Sequence, residues 1–276
     1  MKKIIKTIAA AAGVTGAVAL INSVIFKRGE AKMKSGRSPD AAAMFPYNEF
    51  RYEWRHATAR YIVRGEGEPL VLLHDASVGG GLADWKKMIP LLARRYRVYA
   101  VDLPGFGRSG KPRFAYSSYF YVSFINDFIS DCAGGGAHIV ARGASCGFAA
   151  AGYAMKPENY MKMLFIRGDD KNILPGALAR AMGRFIEVPV YGTFLYNLIS
   201  SKTAVGAERH SYSHCGGAGN KYPVAALLQK FLYVDLNRFV NKIKIPVLSV
   251  RAGKRDSYPG EPRSFYRTIN SFFAPE

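Results

Sequence analysis

Apolar and polar positions fall into blocks along this chain. Thr7 to Phe26 is a run of twenty residues without a charge, flanked by Lys2, Lys3 and Lys6 before it and by Lys27 and Arg28 after it. At about 1.5 Å per residue, a helix of that length spans roughly 30 Å, the thickness of bilayer hydrocarbon. Gly29 to Asp40 is polar and basic and reads as a linker. From about Tyr47, short apolar runs alternate with helical periodicity. Phe50–Trp54 and Ala59–Val63 predict a short antiparallel pair. Pro69–His74 (PLVLLH), Val98–Val101, His138–Ala141, Met163–Ile166 and Ile245–Val250 (IPVLSV) are continuous apolar runs, typical of strands buried on both faces. Leu82–Tyr96, Tyr119–Cys132, Cys146–Met155 and Glu261–Phe273 read as helices. Strands alternating with helices predict an α/β fold, with a mostly parallel sheet and helices on both faces. About eighty residues between Met163–Ile166 and Ile245–Val250 show helices and turns without a strand pattern, and read as an inserted helical cap. The expected divisions are an N-terminal hydrophobic helix at 1–28, a linker at 29–46, a core in two parts at 47–171 and 243–276, and the cap at 172–242.

Composition changes this picture little. With 49% hydrophobic and 21% charged residues, disorder, collagen and coiled coil are excluded. Charge adds more. There are 39 Lys+Arg against 20 Asp+Glu, a net of +19. The basic residues are scattered and form no zinc-finger, RNP or helix-turn-helix pattern, so no nucleic-acid partner is expected. The first 37 residues hold eight Lys/Arg and one acid, which suits an anionic membrane surface. Three readings of that region compete: a single membrane anchor through residues 7–26, a cleaved signal peptide that would leave a secreted protein, and an amphipathic surface helix. The run ends in Ile25-Phe26-Lys27-Arg28 and not in a small-x-small site, which favours the anchor. Cys132, Cys146 and Cys215 form no CxxC or Cys/His set, so no metal is expected.

The candidate chemistry sits at strand ends. Gly143-Ala144-Ser145-Cys146-Gly147 fits G-x-S-x-G, directly after one predicted strand and directly before a helix. A sharp turn there strains the backbone, small residues two positions either side permit it, and the helix N-terminus offers amide hydrogens beside the hydroxyl. The competing reading is a glycine turn that packs helix on strand. His74-Asp75-Ala76 follows the first buried strand. The amide of Asp75 is placed to meet an oxyanion, while the His74 side chain reads as structural. Asp102 to Ser109 (DLPGFGRS) is a glycine-rich loop. No G-x-x-x-x-G-K-[ST] and no dinucleotide fingerprint opens a helix, so no cofactor is expected.

Together PLVLLHDASVGG, VYAVDLPGFGRSGKP, GASCG and the late GKRDSYP occur in an order and spacing that resembles the α/β-hydrolase family, over about Tyr47 to Phe273. The chain looks closest to cap-bearing, membrane-anchored bacterial members of the esterase, epoxide-hydrolase and haloperoxidase-like branch. The resemblance implies an eight-stranded, mostly parallel sheet under a helical cap. It also implies Ser145 as nucleophile, the amides of Asp75 and Cys146 as oxyanion hole, and Asp256 as the acid, with Asp169 or Asp170 as the alternative acid position. The family's base is a histidine after the last strand, and no histidine follows His214 in this chain. The final strand and its histidine loop are therefore expected to be missing. A serine without its base loses about 10⁶-fold in turnover, by analogy with serine proteases. His210 and His214, in the cap, are the substitute bases the sequence offers.

Three functions follow from these readings. The first is a membrane-anchored serine hydrolase acting on an ester or related small acyl substrate. The second is a catalytically inactive hydrolase-like protein that binds a small apolar ligand or a partner. The third is a basic protein held on anionic lipid.

Overall fold

The computed structural model describes residues 47–55, 57–77, 79–168, 176–188, 221–252 and 261–274. Seven strands pair into one sheet: Glu49–Trp54 (β1), Ala57–Arg64 (β2), Glu68–Leu73 (β3), Tyr96–Asp102 (β4), Ala137–Arg142 (β5), Tyr160–Arg167 (β6) and Val247–Arg251 (β7). Their order is β1-β2-β4-β3-β5-β6-β7. β1 and β2 are the expected antiparallel pair, with Glu49 opposite Ile62 and Trp54 opposite Ala57. β2 also runs antiparallel to β4, and every later pairing is parallel. The chain moves outward from β3 to β4, then crosses back to place β5 on the other side of β3. The loops after β3 and β5 therefore diverge at the C-terminal edge, where open α/β sheets form their crevice.

The helices are Ile89–Leu92 (α1), Ser118–Cys132 (α2), Ala144–Met155 (α3), Gly176–Glu187 (α4), Lys221–Leu228 (α5), Leu236–Val240 (α6) and Pro262–Phe273 (α7). Side chains alternate across a strand, so the strands from β2 to β7 feed two cores. Val71, Leu73, Val101, Ile139, Ala141 and Phe165 face one core, built with Phe124, Phe128 and Phe148 of α2 and α3. Leu70, Leu72, Ala100, Val140, Leu164 and Ile166 face the other, closed by Trp85, Ile89 and the α7 residues Phe265, Ile269 and Phe273. Local signals set the helix starts. The Ser117 hydroxyl accepts the Phe120 amide at 3.2 Å, and Asp235 accepts the Asn237 amide at 3.1 Å. α7 is apolar every fourth residue, which makes one buried stripe.

Two expectations change. Leu82–Tyr96 is not one helix. It is a 3₁₀ turn at Leu82–Trp85, then the four-residue α1, and β4 already begins at Tyr96. Pro90 explains the break, because it has no amide to donate and tolerates only the first turn of a helix. The sheet has seven strands among the described residues, where the resemblance implies eight. Between β6 and β7, in the region expected as the cap, α4 and α5 pack through Ile186, Val224 and Ala225. The N-terminal helix at 1–28 and the linker at 29–46 lie outside the described residues. Among the described residues no helix is long and apolar enough to cross a membrane.

Candidate active site

The sharp turn between β5 and α3 belongs to Gly143. Its φ of 55° and ψ of −127° lie where only glycine is at ease, and its amide donates across to the Ile166 carbonyl at 3.0 Å. Ser145 lies two residues further on, inside the first turn of α3. It is completely buried, and its hydroxyl donates to the His74 carbonyl at 2.5 Å. The placement of Ser145 on the turn is therefore corrected. The small-x-turn-x-small pattern is Ala141-Arg142-Gly143-Ala144-Ser145, two residues earlier than the G-x-S-x-G match. Gly147 completed that match for a packing reason: a Cβ there would come within 2.8 Å of the Val234 Cβ. The signal that locates the turn is the end of the apolar strand run, since the residue after Arg142 must turn.

The Cys146 amide, expected as an oxyanion donor, is already engaged: it bonds to the Gly143 carbonyl at 3.1 Å within the helical turn. The amide at the turn itself is that of Ala144, and it donates to Asp75 Oδ1 at 2.9 Å. Asp75 does reach the elbow, but through its carboxylate. An ideal Cβ on Gly143 would stand 2.1 Å from that Oδ1. The carboxylate thus fills the space a side chain at 143 would need.

His74 is fully buried and structural, as expected. Its Nε2 accepts the Leu103 amide at 2.9 Å, so its proton sits on Nδ1 and goes to the Asp75 carbonyl at 2.8 Å. With both nitrogens committed, it has no lone pair left for a base. His138 lies at the opposite end of β5, with Nε2 3.0 Å from Glu68. His210, His214, Asp256, Asp169 and Asp170 lie outside the described residues.

The glycine-rich loop after β4 is a brace. Asp102 is buried and accepts the Leu82 amide at 2.6 Å and the Arg108 amide at 2.9 Å. The Ser109 hydroxyl donates to the Asp102 carbonyl and accepts the Arg60 amide. A Cβ on Gly107 would strike the Asp102 carboxyl at 2.2 Å, so a residue with φ of 48° there must be glycine. Arg142, beside the elbow, pairs with the buried Asp84 at 2.9 Å and ties the 3₁₀ turn to it. A cavity of about 540 Å³ lies away from this edge, between Leu248 of β7 and Thr268 and Phe272 of α7.

Residues 69–184 match the family model described as alpha/beta hydrolase fold. The chain has the alpha/beta hydrolase fold. Over 71 residues it is 39% identical to the 2-hydroxy-6-oxo-6-(2'-aminophenyl)hexa-2,4-dienoic acid hydrolase of Metapseudomonas resinovorans, covering 25% of this chain and 24% of that protein. Over 45 residues it is 53% identical to the pimeloyl-[acyl-carrier protein] methyl ester esterase of Aeromonas hydrophila, covering 16% of this chain and 17% of the esterase. The chain thus spans about a quarter or less of the length of these curated relatives. The solved structure of a hydrolase from Pseudomonas aeruginosa superposes with a TM-score of 0.64 at 14% identity, over 83% of this chain and 99% of that one. The hydrolase fold accounts for the braced loop after β4 and the strand–turn–helix at Gly143, both inside the matched residues.

Proposed function

We propose that this chain is an alpha/beta-hydrolase-fold protein that binds a small apolar compound beneath its cap without serine-dependent turnover. One observation carries the reading: glycine holds the turn, and the carboxylate of Asp75 lies against it on the Ala144 amide. Acyl transfer by a serine needs an accessible hydroxyl, a base and free amides for the developing oxyanion. Ser145 offers a buried hydroxyl already bonded to a carbonyl. The Ala144 and Cys146 amides are both engaged. The relatives named as hydrolases and esterases support a small organic molecule as the ligand. Anchoring through residues 7–26 belongs to the same proposal, and it rests on the uncharged run and its basic flanks.

The names of those relatives favour a second reading, a serine hydrolase using Ser145 with Asp256 and a cap histidine, His210 or His214. It requires the first turn of α3 to open and the hydroxyl to leave the His74 carbonyl. A fluorophosphonate probe separates the two readings. We expect no labelling of folded wild-type protein and no ester turnover above that of Ser145→Ala. Labelling of the wild type that Ser145→Ala abolishes would overturn the binding reading.

A further inference from the structure

Asp75 is held from both ends. Its carbonyl accepts the His74 Nδ1 proton and the Ser77 amide, each at 2.8 Å. His74 is fixed in turn by Leu103 and Ser145. Oδ1 takes the Ala144 amide, at the start of a twelve-residue helix whose first amides favour negative charge. Oδ2 carries no hydrogen bond among the described residues, and the residue is half-buried. A Cβ at position 143 would stand 2.1 Å from Oδ1 and 2.8 Å from Oδ2, so a side chain there and this carboxylate exclude one another.

We propose that Asp75 is a built-in anion that inverts the polarity of the elbow. This rests on the binding reading above and names its ligand class. A turn with free amides receives a carbonyl, a carboxylate or an oxyanion. Here that position is filled from within, and the group left to meet a ligand is an acceptor. The ligand is then a small apolar compound carrying an O–H, an N–H or an ammonium. A carbonyl ligand would set one acceptor against another, and a carboxylate ligand would meet a like charge.

The test uses three probes of one size on the full chain at constant ionic strength: benzylamine, benzyl alcohol and sodium benzoate. Wild type is expected to bind the amine and the alcohol about tenfold or more tighter than benzoate, the scale of a charge-assisted hydrogen bond. Asp75→Gly is expected to reverse that order. Acetate, but not chloride, is expected to restore part of the melting temperature that Asp75→Gly loses, by occupying the vacated amide. Asp75→Asn keeps an acceptor for Ala144 and guards against a folding defect; it is expected to retain the alcohol and lose the preference for the amine. Benzoate binding at least as tightly as the amine to wild type, an unchanged order in both variants, or no binding of any probe to wild type would overturn the ligand class. Those results leave the fluorophosphonate outcome untouched, whereas labelling at Ser145 would end the binding reading whatever the probes do.

Discussion

A Cβ at position 143 would meet two obstacles at once, a positive φ and the Asp75 carboxylate at 2.1 Å. Ser145 faces the opposite situation, since its hydroxyl is consumed in holding the His74 carbonyl. Removing that hydroxyl leaves a buried acceptor unsatisfied. Ser145→Ala is therefore expected to cost about 1–2 kcal/mol of stability, read from urea unfolding, with no change in probe labelling. The two described thiols are also silenced by burial. Burial pushes the Cys132 thiol up to about 11 and raises that of Cys146 further still. Thiolate is the reactive form, so at pH 8 both thiols are expected to stay unmodified by iodoacetamide in native protein and to react once unfolded, as mapped by peptide mass. Modification of Cys146 in the native state would show that α3 opens at its first turn.

At the scale of elements, α7 closes one core with a stripe of Phe265, Ile269 and Phe273, the last stacked on the His138 ring at a centroid distance of 4.7 Å. Phe265→Ala is expected to cost about 3 kcal/mol or more by denaturant unfolding, since it empties a fully packed position. His138 sits beneath this helix, and burial lowers its pKa from 6.5, against the opposing pull of Glu68. The neutral ring is the form the fold prefers. As pH falls below 6.5 the unfolded chain takes up the proton first, so stability drops with falling pH in that window. His138→Phe is expected to flatten the change in urea midpoint between pH 7.5 and pH 5.5, and an unaltered slope would clear His138 of that role.

For the whole molecule, the net charge of +19 is a statement about association and not about fold. The proposed anchor gives this charge a specific consequence. Full-length protein in membranes is expected to resist both high salt and alkaline carbonate, whereas a protein held only by its basic surface is released by salt. Mass analysis of the mature N-terminus separates an anchor from a cleaved signal peptide.

Most of the architecture was legible in the residue pattern. Buried parallel strands must be apolar along their length, and α2 and α7 must be apolar on one face, so both announce themselves locally. The loop after β4 was visible as the glycine-rich DLPGFGRS, but its bracing role was not, because Asp102 meets the Leu82 amide, twenty positions away, only in the folded structure. The broken helix at Leu82–Tyr96 was legible only through Pro90. What the sequence determined alone is thus the order of elements and the family they resemble. Which residue of the elbow turns, and what fills the space above it, were decided by the tertiary structure. Asp75 and Ala144 lie 69 positions apart and meet only because β3 and β5 are neighbours in the sheet. Small residues are required both by a sharp turn and by close helix–strand packing, so GASCG alone could not say which serine or glycine does which.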